Sequence, residues 1–143
     1  MIGSYGKTIE LDNANLSIQS DDNAVATLIK EMNAGEVDAL IIYNTNPSYS
    51  LPNAEAFNAG LLKVGISVSL SGTMDETTSL TNHVCPDHHY LESWNDANPQ
   101  NGHYSLGQPT IAKLHNTRQA QDTLLKWSGA DWSFLDHLKI IGR

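Results

Sequence analysis

Two short polar runs have residue types that could contact a ligand. Asn44-Thr45-Asn46-Pro47 follows the most apolar run of the chain, residues 39–43. Asparagine amides can hydrogen-bond a base or a phosphate, and Pro47 fixes the turn. The same residue types favour a plain strand-to-helix turn for conformational reasons alone, and that use is the commoner one. Asp75-Glu76-Thr77-Thr78 is the second run. Asp75 suits a helix N-cap, and acidic residues suit a first helical turn. A paired-carboxylate acid–base site would need a fixed spacing between the two groups, and nothing in the sequence fixes it.

His83, Cys85, Asp87, His88 and His89 form the densest cluster of metal-capable side chains. Zinc takes such ligands, but neighbouring side chains such as His88 and His89 diverge on a strand and lie about 100° apart on a helix. Their spacing matches no established zinc pattern, so the expectation is no metal site and a turn after Pro86 with locally bonded histidines. Cys85 beside Val84 reads as a small buried hydrophobe rather than a nucleophile. The chain carries no Gly-x-Ser-x-Gly elbow, no Gly-x-x-x-x-Gly-Lys loop and no Gly-x-Gly-x-x-Gly turn. No catalytic residue is therefore expected. Tyr90, Trp94, Trp127 and Trp132 read as packing or interface anchors.

Composition narrows the partners. The chain has 143 residues, 40% hydrophobic and 17% charged, with a formal net charge of −8. That is one domain's worth of sequence, able to bury a core without disulfide or metal staples. Its eight Lys and Arg are scattered, which argues against nucleic acid, and an acidic surface repels anionic lipid. One cysteine cannot form an internal disulfide or hold an iron–sulfur cluster. No apolar run approaches the about 20 residues of a membrane span, so direct membrane insertion is not expected. The first residues lack the basic and apolar regions of a signal peptide.

Periodicity supplies the elements around these residues. Residues 20–35 read as a helix capped by Asp21 or Asp22, with Val25, Leu28, Ile29 and Met32 on one face and Gly35 at its end. Residues 37–43 read as a strand buried on both faces. A turn runs on to Pro52, and Asn53 begins a helix carrying Phe57, Leu61 and Val64, with Gly65 closing it. Residues 66–70 alternate apolar residues with serines and read as a second strand. Residues 78–80 suit a short helix and residues 83–85 a short strand. Residues 92–109, rich in Asn, Gly, Pro and Ser, read as a long loop without regular structure. Thr117 starts a helix with Ala120, Leu124 and Trp127 on one side, ended by Gly129. A last helix starts at Asp131 and carries Phe134, Leu138 and Ile141.

Helix, strand, helix, strand with short connections predicts a three-layer α/β domain with a mainly parallel sheet, occupying 1–143 as one domain. The expected core is Val25, Leu28, Leu40, Ile41, Ile42, Phe57, Leu61 and Val68. Both strands should end at one edge, and in open α/β sheets ligands bind at that edge.

Residues 37–92 resemble a recurrent segment of the molybdopterin oxidoreductases. There a buried strand ends in a Gly-x-Asn-Pro-type turn. A helix and a strand follow, ending in an Asp-x-Phe-x-Thr-Glu-Thr-type segment, then Ala-Asp-Val-Val-Leu-Pro and a Glu. This chain has Asn44-Thr45-Asn46-Pro47, Ser71-Gly72-Thr73-Met74-Asp75-Glu76-Thr77, Thr81-Asn82-His83-Val84-Cys85-Pro86 and Leu91-Glu92. Tyr5-Gly6-Lys7-Thr8-Ile9, Met32-Asn33-Ala34-Gly35, the stretch from Pro86 to Trp94 and Gln108-Pro109-Thr110-Ile111 look like the large iron–sulfur subunit of alternative complex III, also known as a Tat-variant-translocated molybdopterin oxidoreductase. The resemblance runs from about Ile2 to Gly129.

The resemblance implies a Rossmann-like domain, one fragment of a larger subunit. That subunit would belong to a membrane-associated respiratory complex on the periplasmic side of a bacterial inner membrane, with the rest of the subunit as the first partner. It implies iron–sulfur clusters elsewhere in the subunit and none here. Asn44, Asn46, Pro47, Ser71, Glu76 and Thr77 then fall at the guanosine end of a pterin dinucleotide site. Asn44 stands where Gly is usual, and Ser71 stands at the Asp position, so the carboxylate that would accept two guanine protons is missing. The expectation is a vestigial site in a non-catalytic scaffold that binds no cofactor. The alternative is a functional molybdopterin guanine dinucleotide-binding domain of a molybdenum enzyme, and a stand-alone hydrolase using the histidines is a weaker third class.

Overall fold

The computed structural model describes residues 3–9, 12, 20–100 and 102–141. Ile2, where the resemblance begins, and Asn101, inside the expected 92–109 loop, lie outside the described residues.

Helix α1 spans Asp22–Ala34. Asp21 caps it, its carboxylate accepting from the backbone N–H groups of Asn23 and Ala24 at 3.0 and 3.1 Å. Gly35 ends it at φ 77°, a left-handed conformation that costs glycine nothing. Strand β1, Ala39–Ile42, leads to a one-turn helix α2, Pro47–Ser50, with proline at its start, where a missing N–H is harmless. Helix α3, Ala54–Leu61, then returns the chain to strand β2, Ile66–Ser69. A short 3-10 helix, Thr78–Leu80, precedes strand β3, His83–Val84.

The three strands form a parallel sheet in the order β1-β2-β3, with β1 beside β2 as the single-helix connection predicts. The arrangement is α/β. Leu40 pairs with Ser67 and Ile42 with Ser69, so those four share one face. Leu40 and Ile42 pack with Ile29, Met32, Phe57, Leu61 and Val64 from and beside α1 and α3 into the main core. α1 and α3 also meet through Asn33, whose Nδ2 donates to the carbonyls of Ile29 and Ala56 at 2.9 and 2.8 Å.

The opposite face is covered only in part. Helix α4, Ala120–Trp127, brings Ala120 against Val68 and Leu70. Ile41 stays 49% exposed and Ile66 54%. The expectation that β1 is buried on both faces is therefore corrected: among the described residues β1 is an edge strand, and no helix covers Ile41. Val25, also expected in the core, is exposed near the start of α1. In β2 the apolar side of the alternation is buried as expected, at Val68 and Leu70, and the serine side is buried as well. Ser67 and Ser69 are each 1% exposed. Ser67 exchanges hydrogen bonds with Asn82, and the Ser69 hydroxyl meets Thr78 Oγ1 at 2.8 Å, so their burial leaves no polar group stranded.

Three further expectations change. The 92–109 segment is not structureless, because it holds an antiparallel hairpin of β4, Asn95–Gln100, and β5, His103–Gly107. Thr117 does not cap α4, whose first residue follows Gln119, and the helix buries Ala120 and Thr123 while Leu124 and Trp127 face outward. The last helix, α5, spans Phe134–Ile141 rather than starting at Asp131. Ser133 and Asp136 bond each other at its start, and Asp122 of α4 accepts from the Phe134 N–H at 2.6 Å.

Candidate functional site

Parallel pairing brings the carboxyl ends of β1 and β2 side by side, Ile42 opposite Ser69. The chain leaves both ends into polar turns, and a cavity of about 360 Å³ opens between them. Asn44, Asn46 and Ser71 of the expected site line it, with Tyr43, Asp75 and Asp87. Pro47, Glu76 and Thr77 do not. Pro47 faces an apolar groove beside β1, while Glu76 and Thr77 act as partners of Asn46.

Asn46 uses both ends of its amide. Oδ1 accepts from the Thr77 hydroxyl at 2.6 Å and the Thr77 N–H at 3.2 Å, and Nδ2 donates to Glu76 Oε2 at 2.7 Å. Thr77 Oγ1 in turn accepts from the Ser48 N–H at 2.9 Å, and Thr77 is fully buried. The Asn46 hydrogen bond is the main reason the Glu76 carboxyl sits below the usual carboxylate range. Asn44 has φ 53°, in the left-handed region that glycine enters freely and that asparagine tolerates better than most residues. The turn thus keeps a glycine-like backbone but adds a side chain at the cavity.

Ser71 points its hydroxyl at Asp75 Oδ2, 3.3 Å away. The other carboxylate oxygen of Asp75 accepts from the Thr78 N–H at 2.7 Å, although Thr77 and not Asp75 is the N-cap of the short helix. Burial pushes the Asp75 carboxyl up, but hydrogen bonds from Thr78, Ser71 and Thr77 outweigh it and hold the group below its ordinary value.

A larger cavity of about 720 Å³ shares Tyr43, Asn44, Asp87 and His88 and extends outward to Glu92 and His115. Asp87 Oδ1 accepts from the N–H groups of His88 and Ala120 at 2.7 and 2.8 Å, tying the turn after β3 to the start of α4. Burial first, then the charge and hydrogen bonding of Asp87, push the Tyr43 phenol up. Glu92 accepts from the Leu114 N–H at 2.7 Å and the His89 N–H at 3.0 Å, which hold its carboxyl down.

The clustered histidines have separate partners, and only His89 bonds locally as expected. His83 lies exposed on β3, His88 Nδ1 meets Thr117 Oγ1 at 2.6 Å, and His89 Nδ1 accepts from the Leu91 N–H. Among the described residues no three His, Cys, Asp or Glu side chains come together to hold a metal ion. Also among them, no helix is long and apolar enough to cross a membrane. Tyr43, Asp87 and His88 were not among the expected cavity residues. The signal was present: residues 86–88 follow a third parallel strand, so they leave the sheet at the same edge.

No protein-family model matches the chain. One curated protein, the menaquinone reductase, molybdopterin-binding-like subunit of Nitratidesulfovibrio vulgaris, is 33% identical over 116 residues, 78% of this chain. The chain spans 17% of the length of that relative. The similarity supports a molybdopterin oxidoreductase-like relationship.

Proposed function

We propose that this chain is a non-catalytic scaffold domain, Rossmann-like and related to pterin-dinucleotide domains, within a larger subunit of a respiratory electron-transfer oxidoreductase. The branch is that of the large iron–sulfur subunit of alternative complex III. The rest of the subunit carries any iron–sulfur clusters, and the assembly sits on the periplasmic side of a bacterial inner membrane. The relative's name, as a subunit of a menaquinone reductase, supports a place in a multi-subunit redox assembly.

The observation that carries the non-catalytic reading is the state of the sheet edge. Its polar groups are bonded to one another. Asn46 is held at both ends of its amide by Thr77 and Glu76, and Asp75 has both oxygens occupied by Thr78 and Ser71. A pterin dinucleotide would need a free carboxylate for the guanine and close backbone approach at the first turn. Ser71 supplies no carboxylate, and the Asn44 side chain stands where glycine would leave room. The residues present do not fit the group.

Calorimetry with guanosine diphosphate tests this. The expected result is no guanine-dependent heat in the micromolar range. A charged hydrogen bond to guanine contributes about 1.5–3 kcal/mol, roughly tenfold to a hundredfold in affinity. Ser71→Asp is nevertheless expected to restore little, because the new carboxylate would face Asp75. Micromolar, guanine-dependent binding by the unaltered chain would replace this reading with that of a functional dinucleotide domain.

A further inference from the structure

Cations are scarce in this chain, with 8 Lys and Arg against 16 Asp and Glu. Two of them nonetheless line one cavity of about 460 Å³, formed by the turn after β3 and the segment leading into α4. Its polar wall is Lys113, Arg118, His88, Asn116 and Thr117, and no carboxylate lines it. Among the described residues the one ion pair joins Lys139 to Asp136, so neither Lys113 nor Arg118 is neutralised by an acidic neighbour there. In an acidic protein, a concave surface with two unneutralised cations and no acid is suited to an anionic ligand.

The donors are also oriented. Arg118 donates Nε to Thr123 Oγ1 at 2.9 Å, and Thr123 is 2% exposed, so a buried hydroxyl anchors the guanidinium. The terminal nitrogens of that fork remain for a ligand, and a planar fork matches two oxygens of a tetrahedral oxoanion. His88 is anchored by Thr117 through Nδ1 at 2.6 Å, which leaves Nε2 as its second ring atom. His88 also lines both cavities of the sheet edge, so it is a wall common to all three.

We propose that this cavity binds a phosphate group, free or as a monoester or pyrophosphate. Arg118 grips two oxygens, Lys113 balances the charge, and His88 Nε2 and Asn116 contact the remaining oxygens. The site needs no guanine and does not depend on the scaffold reading above.

The test is an NMR titration of the whole chain with inorganic phosphate, sodium chloride holding ionic strength constant. The expected result is saturable shifts at the Arg118 Nε–H and the His88 ring. Lys113→Gln, at an exposed position with no described bond to lose, should weaken binding roughly tenfold, as for loss of one charged contact. Arg118→Gln should weaken it at least as much, and Lys30→Gln on α1 should leave it unchanged. Shifts that grow linearly, or that survive both cavity substitutions, overturn the proposal. A guanosine diphosphate arm separates the two readings. Shifts at Arg118 and His88 without shifts at Asn44 and Ser71 support the phosphate site. Shifts at Asn44, Ser71 and Asp75 with none at Arg118 overturn both this site and the scaffold reading.

Discussion

Asn46 illustrates what a residue type reveals and what it conceals. Its position after an apolar strand marked it as a candidate ligand contact, and the structure makes it the link between the first turn and Thr77, 31 residues further on. An asparagine that serves a ligand and one that serves its own fold look alike in sequence, because both need the same amide. The partner settles the matter, and the partner is brought in by the sheet. Asn46→Ala would take away the acceptor of the buried Thr77 hydroxyl proton and leave that hydroxyl with the Ser48 N–H alone. A buried group left unsatisfied costs about 1–3 kcal/mol, and urea denaturation should show a loss in that range. A loss near zero would mean that water reaches Thr77 and that the sheet edge is more open than the hydrogen bonds imply. The histidines carry the same lesson. They are close in sequence, yet extended backbone and a 3-10 turn send them to different partners.

At the scale of elements, the parallel strands and the first three long helices were legible because their patterns are local. Caps, a left-handed glycine and apolar spacing all lie within a few residues of one another. What was not legible was which side of an element is covered. Leu40, Ile41 and Ile42 are alike in hydrophobicity, yet only Ile42 is fully buried, since α1 and α3 lie on one face and, among the described residues, no strand pairs with the outer side of β1. Ile41→Ala should therefore cost about 1 kcal/mol, below the about 2–5 kcal/mol expected for Leu61→Ala, which is 2% exposed. Equal losses in chemical denaturation would place Ile41 under a cover. The β4–β5 hairpin escaped for a related reason: every residue of β5 is exposed, so no alternation records it. Helix α3 carries a sharper constraint. A Cβ on Gly60 would lie 2.9 Å from both Asn33 Nδ2 and Met32 Cβ of α1. Gly60→Ala should destabilise by about 1–3 kcal/mol through overpacking, despite alanine's better helix propensity. A neutral or stabilising result would mean that the two helices can separate at little cost.

Over the whole molecule, element order alone was enough for a parallel α/β sheet, since short connections between helix and strand leave few other arrangements. The number of covered faces was not, because α4 reaches the sheet from about 50 residues beyond β2 and packs Ala120 against Val68 and Leu70. The net charge of −8 also hides how its acids are used. Several are structural acceptors spread along the chain: Glu76 holds Asn46, Glu92 holds the Leu114 and His89 N–H groups, and Asp136 holds Ser133. Each has its carboxyl held below the ordinary value, chiefly by those same bonds. A depressed folded-state value means that the unfolded chain takes up the proton first as pH falls. Their contribution is complete above the unfolded carboxylate value, about 4.3 for Glu, and is lost as pH drops from there through the folded value. Stability should therefore change little through these groups between pH 7 and pH 5, and fall below about pH 4.3. Glu92→Gln isolates one of them. The substituted side chain keeps one amide oxygen but not the charge, so the variant should unfold more easily than the parent at pH 7. The difference should shrink as pH falls, because the parent's Glu92 is then protonated too. Denaturation midpoints of both proteins, measured at pH 7, 5 and 3, check this. A difference that stays constant across the series would show that Glu92 acts through shape alone and that its charge does not hold the Leu114 segment in place.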